Sequence, residues 1–187
     1  MYVFEGKWIE VVYTVRNFKH LTGVESNLSA RSFFADAVNH RLSARDIYFT
    51  TQHPYDLCIR KVAHLNSLTS LATGEGFLLK EINTSTQTFK FGATDLEFTL
   101  LFNRPKDSSG IVISDSFHVE SLRDEDCFAR SSDVFEITHI LSKKNNHNKY
   151  DTLHYMDGRY SLLNIPNNIL PLIDTNLINL YLPEQGD

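Results

Sequence analysis

The chain has 187 residues, 42% of them hydrophobic and 12% aromatic, which is enough to bury one sizeable core, so we expect a single domain over residues 1–187. The formal net charge of −5 argues against a general binder of polyanions, because phosphate contacts need local positive potential. No apolar run approaches the ~18 residues of a membrane span, and residues 1–10 lack the layout of a secretory signal; both observations predict a cytoplasmic protein with no membrane partner.

The first predicted elements are a strand and a helix. Residues 8–15, WIEVVYTV, are β-branched and aromatic, which is typical of a strand. Residues 17–26, NFKHLTGVES, are expected to continue as the end of that strand, entering a buried corner. Ser29 is a candidate N-cap for a helix that follows.

The strongest helical pattern runs from Tyr55 to Leu71. Its apolar residues recur at the i, i+3, i+4 spacing of an amphipathic helix. We expect this helix to pack on one face of the sheet through Ile59, Val62 and Leu65.

The second half of the chain predicts an antiparallel sheet. From Phe77 to Met156, short β-rich segments alternate with Gly, Asn, Asp, Pro or Ser, and we expect one antiparallel meander. Residues 161–187 are apolar but interrupted by Pro and Asn, which predicts a tail that packs along the body. The order of strand, helices and then antiparallel sheet is that of an α+β fold.

No pattern predicts a metal or a cofactor. The one dense acidic run is 124–126, and consecutive side chains on a loop point outward rather than converge on a cation. The histidines His139, His147 and His154 match no zinc spacing, and the two cysteines form no CxxC motif. We therefore expect neither metal nor cofactor, and a metal-dependent nuclease is the least favoured hypothesis.

Cleavage of RNA without a metal requires fewer groups. It needs a base for the 2′-hydroxyl, an acid for the leaving 5′-oxygen, and cations beside the phosphorane. Histidine suits the first two roles, and lysine or arginine suits the third. His20 in NFKHLTG is a candidate, although a hydrogen-bonded structural histidine fits the same pattern; His154, which shares a strand face with Tyr150 and Thr152, is another.

Basic residues near these histidines are candidates for binding RNA. One set lies on the long helix, and the other lies in the SKKNNHNKY turn with Lys143. We expect one of the two sets to form a positive zone beside His20. The predicted RNA-binding residues are Arg60, Lys61, His64, Lys144 and Lys149.

Several segments, taken in order, carry a resemblance to a known family. They are NFKHLTGV after a strand, RSFFADAVNHRLSARDI as the next helix, and then ESLRDED, FEITHILSKK and KYDTLHYMD. This set, which covers most of residues 8–157, resembles the phage-borne nuclease domains grouped with barnase, EndoU, the colicin RNases and RelE (BECR). The resemblance implies N-terminal helices against a four-stranded antiparallel sheet, and a metal-independent ribonuclease of prophages, toxin systems or phage–host conflict, with an antitoxin or immunity protein as partner.

The resemblance also assigns roles to single positions. His20 matches the motif histidine, Thr22 its neighbouring hydroxyl, and Ser121 the hydroxyl residue that begins the SL segment. Lys143 or Lys144 matches the basic end of the following strand. With His154, the predicted catalytic set is His20, Thr22, Ser121, Lys143 and His154.

One departure from the family pattern concerns the position before Ser121. Val119 and Glu120 stand where family members have a proline and a basic residue, and an acid there weakens phosphate binding. Two hypotheses therefore remain. The first is an endoribonuclease acting as a toxin or defence effector by 2′-hydroxyl attack, and the alternative is a non-catalytic binding or inhibitor protein on the same scaffold. A solvent-open His20 within reach of Ser121 or a cation favours the enzyme, and an apolar enclosure favours the binding protein.

Overall fold

The fold is built on two larger sheets and a small two-stranded one, with helices beside them. The structure, a computed structural model, describes residues 1–144 and 146–181. Its helices are α1 (Asn17–Thr22), α2 (Ala30–Val38), α3 (Tyr55–His64), α4 (Leu68–Thr73) and α5 (Thr175–Asn179). Its strands are β1 (Tyr2–Phe4), β2 (Lys7–Ile9), β3 (Val11–Val12), β4 (Glu25–Ser26), β5 (Ile47–Tyr48), β6 (Phe77–Asn83), β7 (Thr88–Thr94), β8 (Thr99–Asn103), β9 (Phe117–Arg123), β10 (Asp133–Glu136), β11 (His139–Ser142) and β12 (Thr152–Met156). The arrangement is α+β, as the sequence predicts.

The largest sheet contains the predicted meander. Its strand order is β10-β6-β7-β8-β9-β3, and its neighbours pair antiparallel except β3, which runs parallel to β9. Leu78, Leu100 and Phe102 point from this sheet into the main core, where they meet residues of β1, α1 and α4. The outer end of β9 carries Ser121, so this sheet positions one half of the candidate site.

The second sheet corrects the expectation of one sheet from Phe77 to Met156. Its order is β12-β11-β1-β2, so β11 and β12 leave the meander and pair with the N-terminal hairpin. The sequence pattern did not identify β1, and this strand supplies the partner. At the point of departure the Thr138 amide and hydroxyl both donate to the Val3 carbonyl oxygen, at 2.8 and 3.1 Å.

Two expectations about the helices are also wrong. Residues 17–22, expected to be a strand end, form α1. The long helical pattern ends at His64, and a 3-10 turn separates α3 from α4. Ile59 and Val62, which are 49% and 39% exposed, face solvent, whereas Cys58 and Lys61 face inward at 1% and 4%. The inward face of α3 is thus the one that carries a lysine.

Residues 161–181 pack along the body through apolar side chains. They share a second core cluster with residues of β1 and β11. The members from this segment are Leu162, Ile165, Ile169, Ile173 and Leu177. Residues 182–187 of the predicted tail lie outside the described residues. In the described part of the chain no helix is long and apolar enough to cross a membrane.

Candidate active site

A cleft of about 540 Å³ opens between α1, the N-terminal part of α3 and the outer end of β9. This volume lies in the range of pockets that bind small molecules. We call it the His20 cleft. The chemically functional side chains that line it are Lys19, His20, Glu25, His53, Lys61, Glu120, Ser121 and Arg123.

Asn17 fixes the helix that carries His20 against the strand that carries Ser121. Its Nδ2 donates to the Val119 carbonyl oxygen at 2.6 Å, and its Oδ1 accepts from the Thr14 amide at 3.0 Å. Asn17 and His20 are three residues apart and therefore lie on one face of α1. Val119 precedes Ser121 by two positions, and buried Leu21 of α1 packs in the same core cluster as Val119, so both contacts hold the imidazole and the hydroxyl at the same cleft.

Gly23 ends α1 and lets Lys61 approach it. Gly23 has a φ of 70°, in the left-handed region, and its amide donates to the His20 carbonyl oxygen. A Cβ at this position would lie 3.2 Å from Lys61 Cδ and 3.6 Å from Lys61 Nζ. The lysine stem therefore passes directly over the glycine, which brings the ammonium to the end of the helix that carries His20.

A β-bulge in β9 lets three polar side chains, Glu120, Ser121 and Arg123, line the cleft. Leu101 pairs with Ser121 and Phe102 pairs with Val119, so Glu120 is the extra residue on β9. Beyond the bulge Leu122 is buried, whereas Ser121 and Arg123 line the cleft. Without the bulge, strict alternation from Val119 would bury Ser121 and Arg123 instead.

The two groups suited to proton transfer and hydrogen bonding at the cleft are free. His20 is exposed, and the described residues offer no hydrogen-bond partner to its ring. The Ser121 hydroxyl, on a half-buried side chain, likewise makes no hydrogen bond within the described part of the protein. Both are thus available to a ligand, and the ring of His20 is solvent-open and not enclosed by apolar atoms.

Two cationic side chains, Lys61 and Arg123, line the same cleft as His20 and Ser121, and their hydrogen-bonding groups are not fully paired. Lys61 is almost completely buried, and among residues 1–144 and 146–181 its ammonium has no acceptor. Arg123 donates from Nη2 to Thr84 and Thr86 at 3.3 and 3.1 Å, while its Nε is buried with no partner in the described residues. Burial lowers the pKa of Lys61 and the nearby Arg123 lowers it further, against the opposing effect of Asp124. Two cationic groups placed in this way favour the binding of an anion beside them.

The side chains that line the cleft include other charged groups besides Lys61 and Arg123. Lys19 donates to two carbonyl oxygens, those of Ser26 and Leu28. The carboxylates are Glu25, which contacts His53, and Glu120, which accepts from the Asn103 amide at 3.1 Å. Three cationic side chains thus face two carboxylates, in a chain whose net charge is −5.

Thr22 supports the site without lining it. Its buried hydroxyl donates to the Lys19 carbonyl oxygen at 2.7 Å and accepts from the Val24 amide at 3.0 Å. Both bonds hold the turn that follows His20, so Thr22 acts on the position of its neighbours.

Two predicted RNA-binding residues of α3 point away from the cleft. Arg60 forms an ion pair with Asp124, and this hydrogen bond keeps the Asp124 pKa below its usual value although partial burial alone would raise it. His64 stacks on the buried Phe98 ring, with 4.8 Å between ring centroids. Of the three basic residues predicted on this helix, Lys61 is the one that the structure brings to His20.

Lys143 and His154 lie in a different cavity of about 580 Å³, which we call the Glu10 cavity. Lys143 forms an ion pair with Glu10 at 3.0 Å, and His154 Nε2 lies 2.7 Å from the Ser142 hydroxyl. Ser116, just before β9, belongs to this cavity.

The two sites are well separated along the same strand. At ~3.3 Å per strand residue, the five positions from Ser116 to Ser121 span about 17 Å. Lys143 and His154, predicted to belong to one catalytic set with Ser121, therefore lie in a different cavity from it. Lys144 and Lys149, predicted to bind RNA, are exposed in the turn between β11 and β12, on the side of the Glu10 cavity.

Sequence reasoning missed four of the eight functional side chains of the cleft, Lys19, Glu25, His53 and Arg123. Arg123 stands in the quoted segment ESLRDED, two positions after Ser121, and that spacing on a strand is the signal that could have identified it. His53 precedes the Pro54 that begins α3, and no local pattern connects it with Glu25, its partner 28 positions earlier. The described residues contain no group of three or more His, Cys, Asp or Glu side chains that could hold a metal.

The fold is α+β with antiparallel-rich sheets, the class that the sequence predicts. A family model described as phage-Barnase-EndoU-ColicinE5/D-RelE like nuclease 4 matches residues 1–158, so the chain belongs to this family. The match confirms the resemblance seen in the sequence. Comparison with curated proteins found no match, and neither did comparison with solved structures.

Proposed function

We propose that this nuclease is a metal-independent endoribonuclease whose active site is the His20 cleft. The observation that carries the proposal is the free, exposed His20 ring in one cleft with Lys61 and Arg123, two cations without carboxylate partners inside that cleft. An anion between these cations would relieve their mutual repulsion. A phosphodiester of RNA provides that anion together with a hydroxyl that an imidazole can deprotonate.

The roles follow from the chemistry of 2′-hydroxyl attack. His20 accepts the proton of the 2′-hydroxyl, and the 2′-oxygen attacks the adjacent phosphorus. Lys61 and Arg123 stabilise the charge that develops on the phosphorane, and the Ser121 hydroxyl donates to a non-bridging oxygen. The products are a 2′,3′-cyclic phosphate and a 5′-hydroxyl end.

The biological setting is proposed from the family. Membership in a phage nuclease family supports a toxin or conflict effector that acts on RNA in the cytoplasm and is restrained by an antitoxin or immunity protein. In this proposal Lys143, Lys144, Lys149 and His154 do not touch the cleaved phosphate, because the Glu10 cavity is too distant from the cleft. If they bind RNA, they contact a part of the RNA strand away from the cleaved phosphate.

The test is cleavage of total RNA by the purified full chain, with and without EDTA, followed by mapping of the ends. We expect chelator-resistant cleavage, and a His20→Ala loss of about 10²- to 10⁴-fold. His147→Ala is the matched control, since His147 is an exposed histidine outside the cleft. Chelator-sensitive cleavage with 3′-hydroxyl ends, or full activity of His20→Ala, would contradict the proposal.

A second candidate is a non-catalytic RNA-binding or inhibitor protein. Glu120 in the cleft and the net charge of −5 favour it, because both weaken attraction to RNA. Binding of RNA without cleavage by the wild-type chain, in the presence or absence of ribosomes, would select this alternative.

A further inference from the structure

We infer that His53 is the second proton-transfer group of the cleft, the acid that protonates the leaving 5′-oxygen, and that Glu25 positions it. This inference rests on the proposed ribonuclease function. His20 and His53 both line the same cleft, and 2′-hydroxyl attack requires an acid as well as a base.

The backbone of His53 is held by a closed turn at the start of α3. Its amide donates to the Thr50 hydroxyl at 3.0 Å, and its carbonyl oxygen accepts from the Thr50 amide at 3.0 Å. The same carbonyl lies 3.7 Å from the Cys58 thiol. Three contacts to the backbone of this one residue fix where the ring begins, which a proton donor to a defined oxygen requires.

Glu25 fixes the ring itself. It lies on β4, two residues after Gly23, and β4 pairs with β5 shortly before His53 in the chain. Glu25 Oε1 is 3.1 Å from His53 Nδ1. A carboxylate at Nδ1 holds a proton on that nitrogen and leaves Nε2 to exchange protons with a ligand. The His53 side chain keeps 37% of its surface exposed, so a ligand can reach it.

The two histidines differ in their hydrogen-bond partners, and this difference is the basis for assigning the acid and the base. A carboxylate hydrogen-bonded to one ring nitrogen fixes the ring, so that the other nitrogen can deliver a proton to one defined oxygen. His53 has such a partner, and His20 has none among the described residues. His53 is therefore the acid, and His20 is the base.

The step balances with these two groups alone. The bond from the 2′-oxygen to phosphorus forms, and the bond from phosphorus to the 5′-oxygen breaks. One proton passes from the 2′-hydroxyl to His20, and another passes from His53 Nε2 to the 5′-oxygen. Exchange with water then returns His20 to its neutral form and His53 to its charged form.

A substrate with sulfur in place of the bridging 5′-oxygen isolates the acid, because a thiolate leaves without being protonated. On ordinary RNA, His53→Ala should lower the single-turnover rate by about 10²- to 10⁴-fold. On the sulfur substrate the same variant should act within a few-fold of wild type, whereas His20→Ala should remain defective on both. His147→Ala is the matched control, because that ring also contacts a carboxylate, Asp151, through Nδ1 at 2.8 Å, but outside the cleft.

Glu25→Gln gives a second and milder measurement. Its loss on ordinary RNA should be smaller than that of His53→Ala, and the sulfur substrate should again restore it, which a simple folding defect would not do. If His53→Ala cleaved ordinary RNA at the wild-type rate, or lost the same factor on both substrates, the inference would be overturned. The proposed ribonuclease function would still stand. No cleavage by wild type on either substrate would overturn the proposed function together with it.

Discussion

The Asn17 side chain donates a 2.6 Å hydrogen bond to the Val119 carbonyl oxygen and thereby joins α1 to β9. The candidate base is on one of these elements, and the candidate hydroxyl donor, Ser121, is on the other. The bond is not part of either element's own hydrogen-bond ladder, so it adds a specific polar link to the apolar packing of Leu21 against the core that contains Val119 and Leu122.

We predict that Asn17→Asp lowers RNA cleavage more than it lowers stability. The aspartate keeps an acceptor for the Thr14 amide but loses the donor to Val119. A partly buried hydrogen bond contributes about 1 kcal/mol to stability, whereas misplacing a catalytic group can cost about 10²-fold in rate. Thermal unfolding and single-turnover rates measure the two effects. Asn27→Asp, at an exposed position, is the control, and equal losses of rate in both variants would contradict the prediction.

Gly23 offers a sharper test of how the cleft is assembled. Gly23→Ala should destabilise the fold by about 1–2 kcal/mol, because a residue with a Cβ is strained in the left-handed region. The new methyl group would also lie 3.2 Å from the Lys61 stem and 3.5 Å from the Cys58 sulfur, so the ammonium must shift. Cleavage should therefore fall as well. Gly158→Ala, where a Cβ would meet nothing within 4 Å, should leave both quantities near wild type, and similar behaviour of the two variants would refute this reasoning.

Parts of this site could be predicted from the sequence, and others could not. His20 and Ser121 were identified through the family resemblance, and the structure brings both to one cleft. Arg123 was not, although it lies two positions after Ser121 on the same face of β9, and both residues follow the bulge at Glu120. Periodicity alone cannot locate an extra residue in a strand, since a bulge leaves no apolar signal of its own.

The orientation of α3 shows a second limit of periodicity. The predicted apolar stripe contains Cys58 as well as Ile59 and Val62, but the structure buries Cys58 together with Lys61 and leaves the other two exposed. Hydrophobic spacing gives no signal that Lys61 is buried. Its burial goes with a tertiary contact, since the Lys61 stem passes over Gly23. Similarly, the pairing of β1 with β11 joins residues about 140 positions apart, which local patterns do not encode.

Lys61 should show a conflict between stability and function. Its pKa in the folded protein is lowered by burial and by Arg123, so folding disfavours the charged form. Between that lowered pKa and the unfolded value near 10.5, the unfolded chain binds more protons, so this lysine's destabilising effect should fade as pH rises through the window.

We therefore expect Lys61→Met to be at least as stable as wild type near pH 7, with the difference shrinking at alkaline pH. Cleavage and RNA binding should both decrease, because one of the two phosphate-binding cations is gone. Denaturant unfolding at a series of pH values, together with rates at pH 7, checks this. A less stable Lys61→Met with normal cleavage would show that the ammonium serves the fold rather than the cleft.

Glu120 is the acidic residue whose removal should improve the enzyme. It is the extra residue of the β9 bulge, lines the cleft, and accepts a hydrogen bond from Asn103. A carboxylate at this place opposes the approach of a phosphate, so Glu120→Gln, which can still accept from Asn103, should strengthen RNA binding several-fold. Glu120→Lys should strengthen it further, and both gains should shrink as salt rises, because screening weakens interactions between exposed charges.

Glu97→Lys makes the same charge change at an exposed site outside the cleft and separates a local effect from one of net charge. Equal gains from Glu97→Lys and Glu120→Lys would mean that total charge, and not the cleft, limits binding, whereas a gain confined to Glu120 variants would place the phosphate beside Ser121 and Arg123.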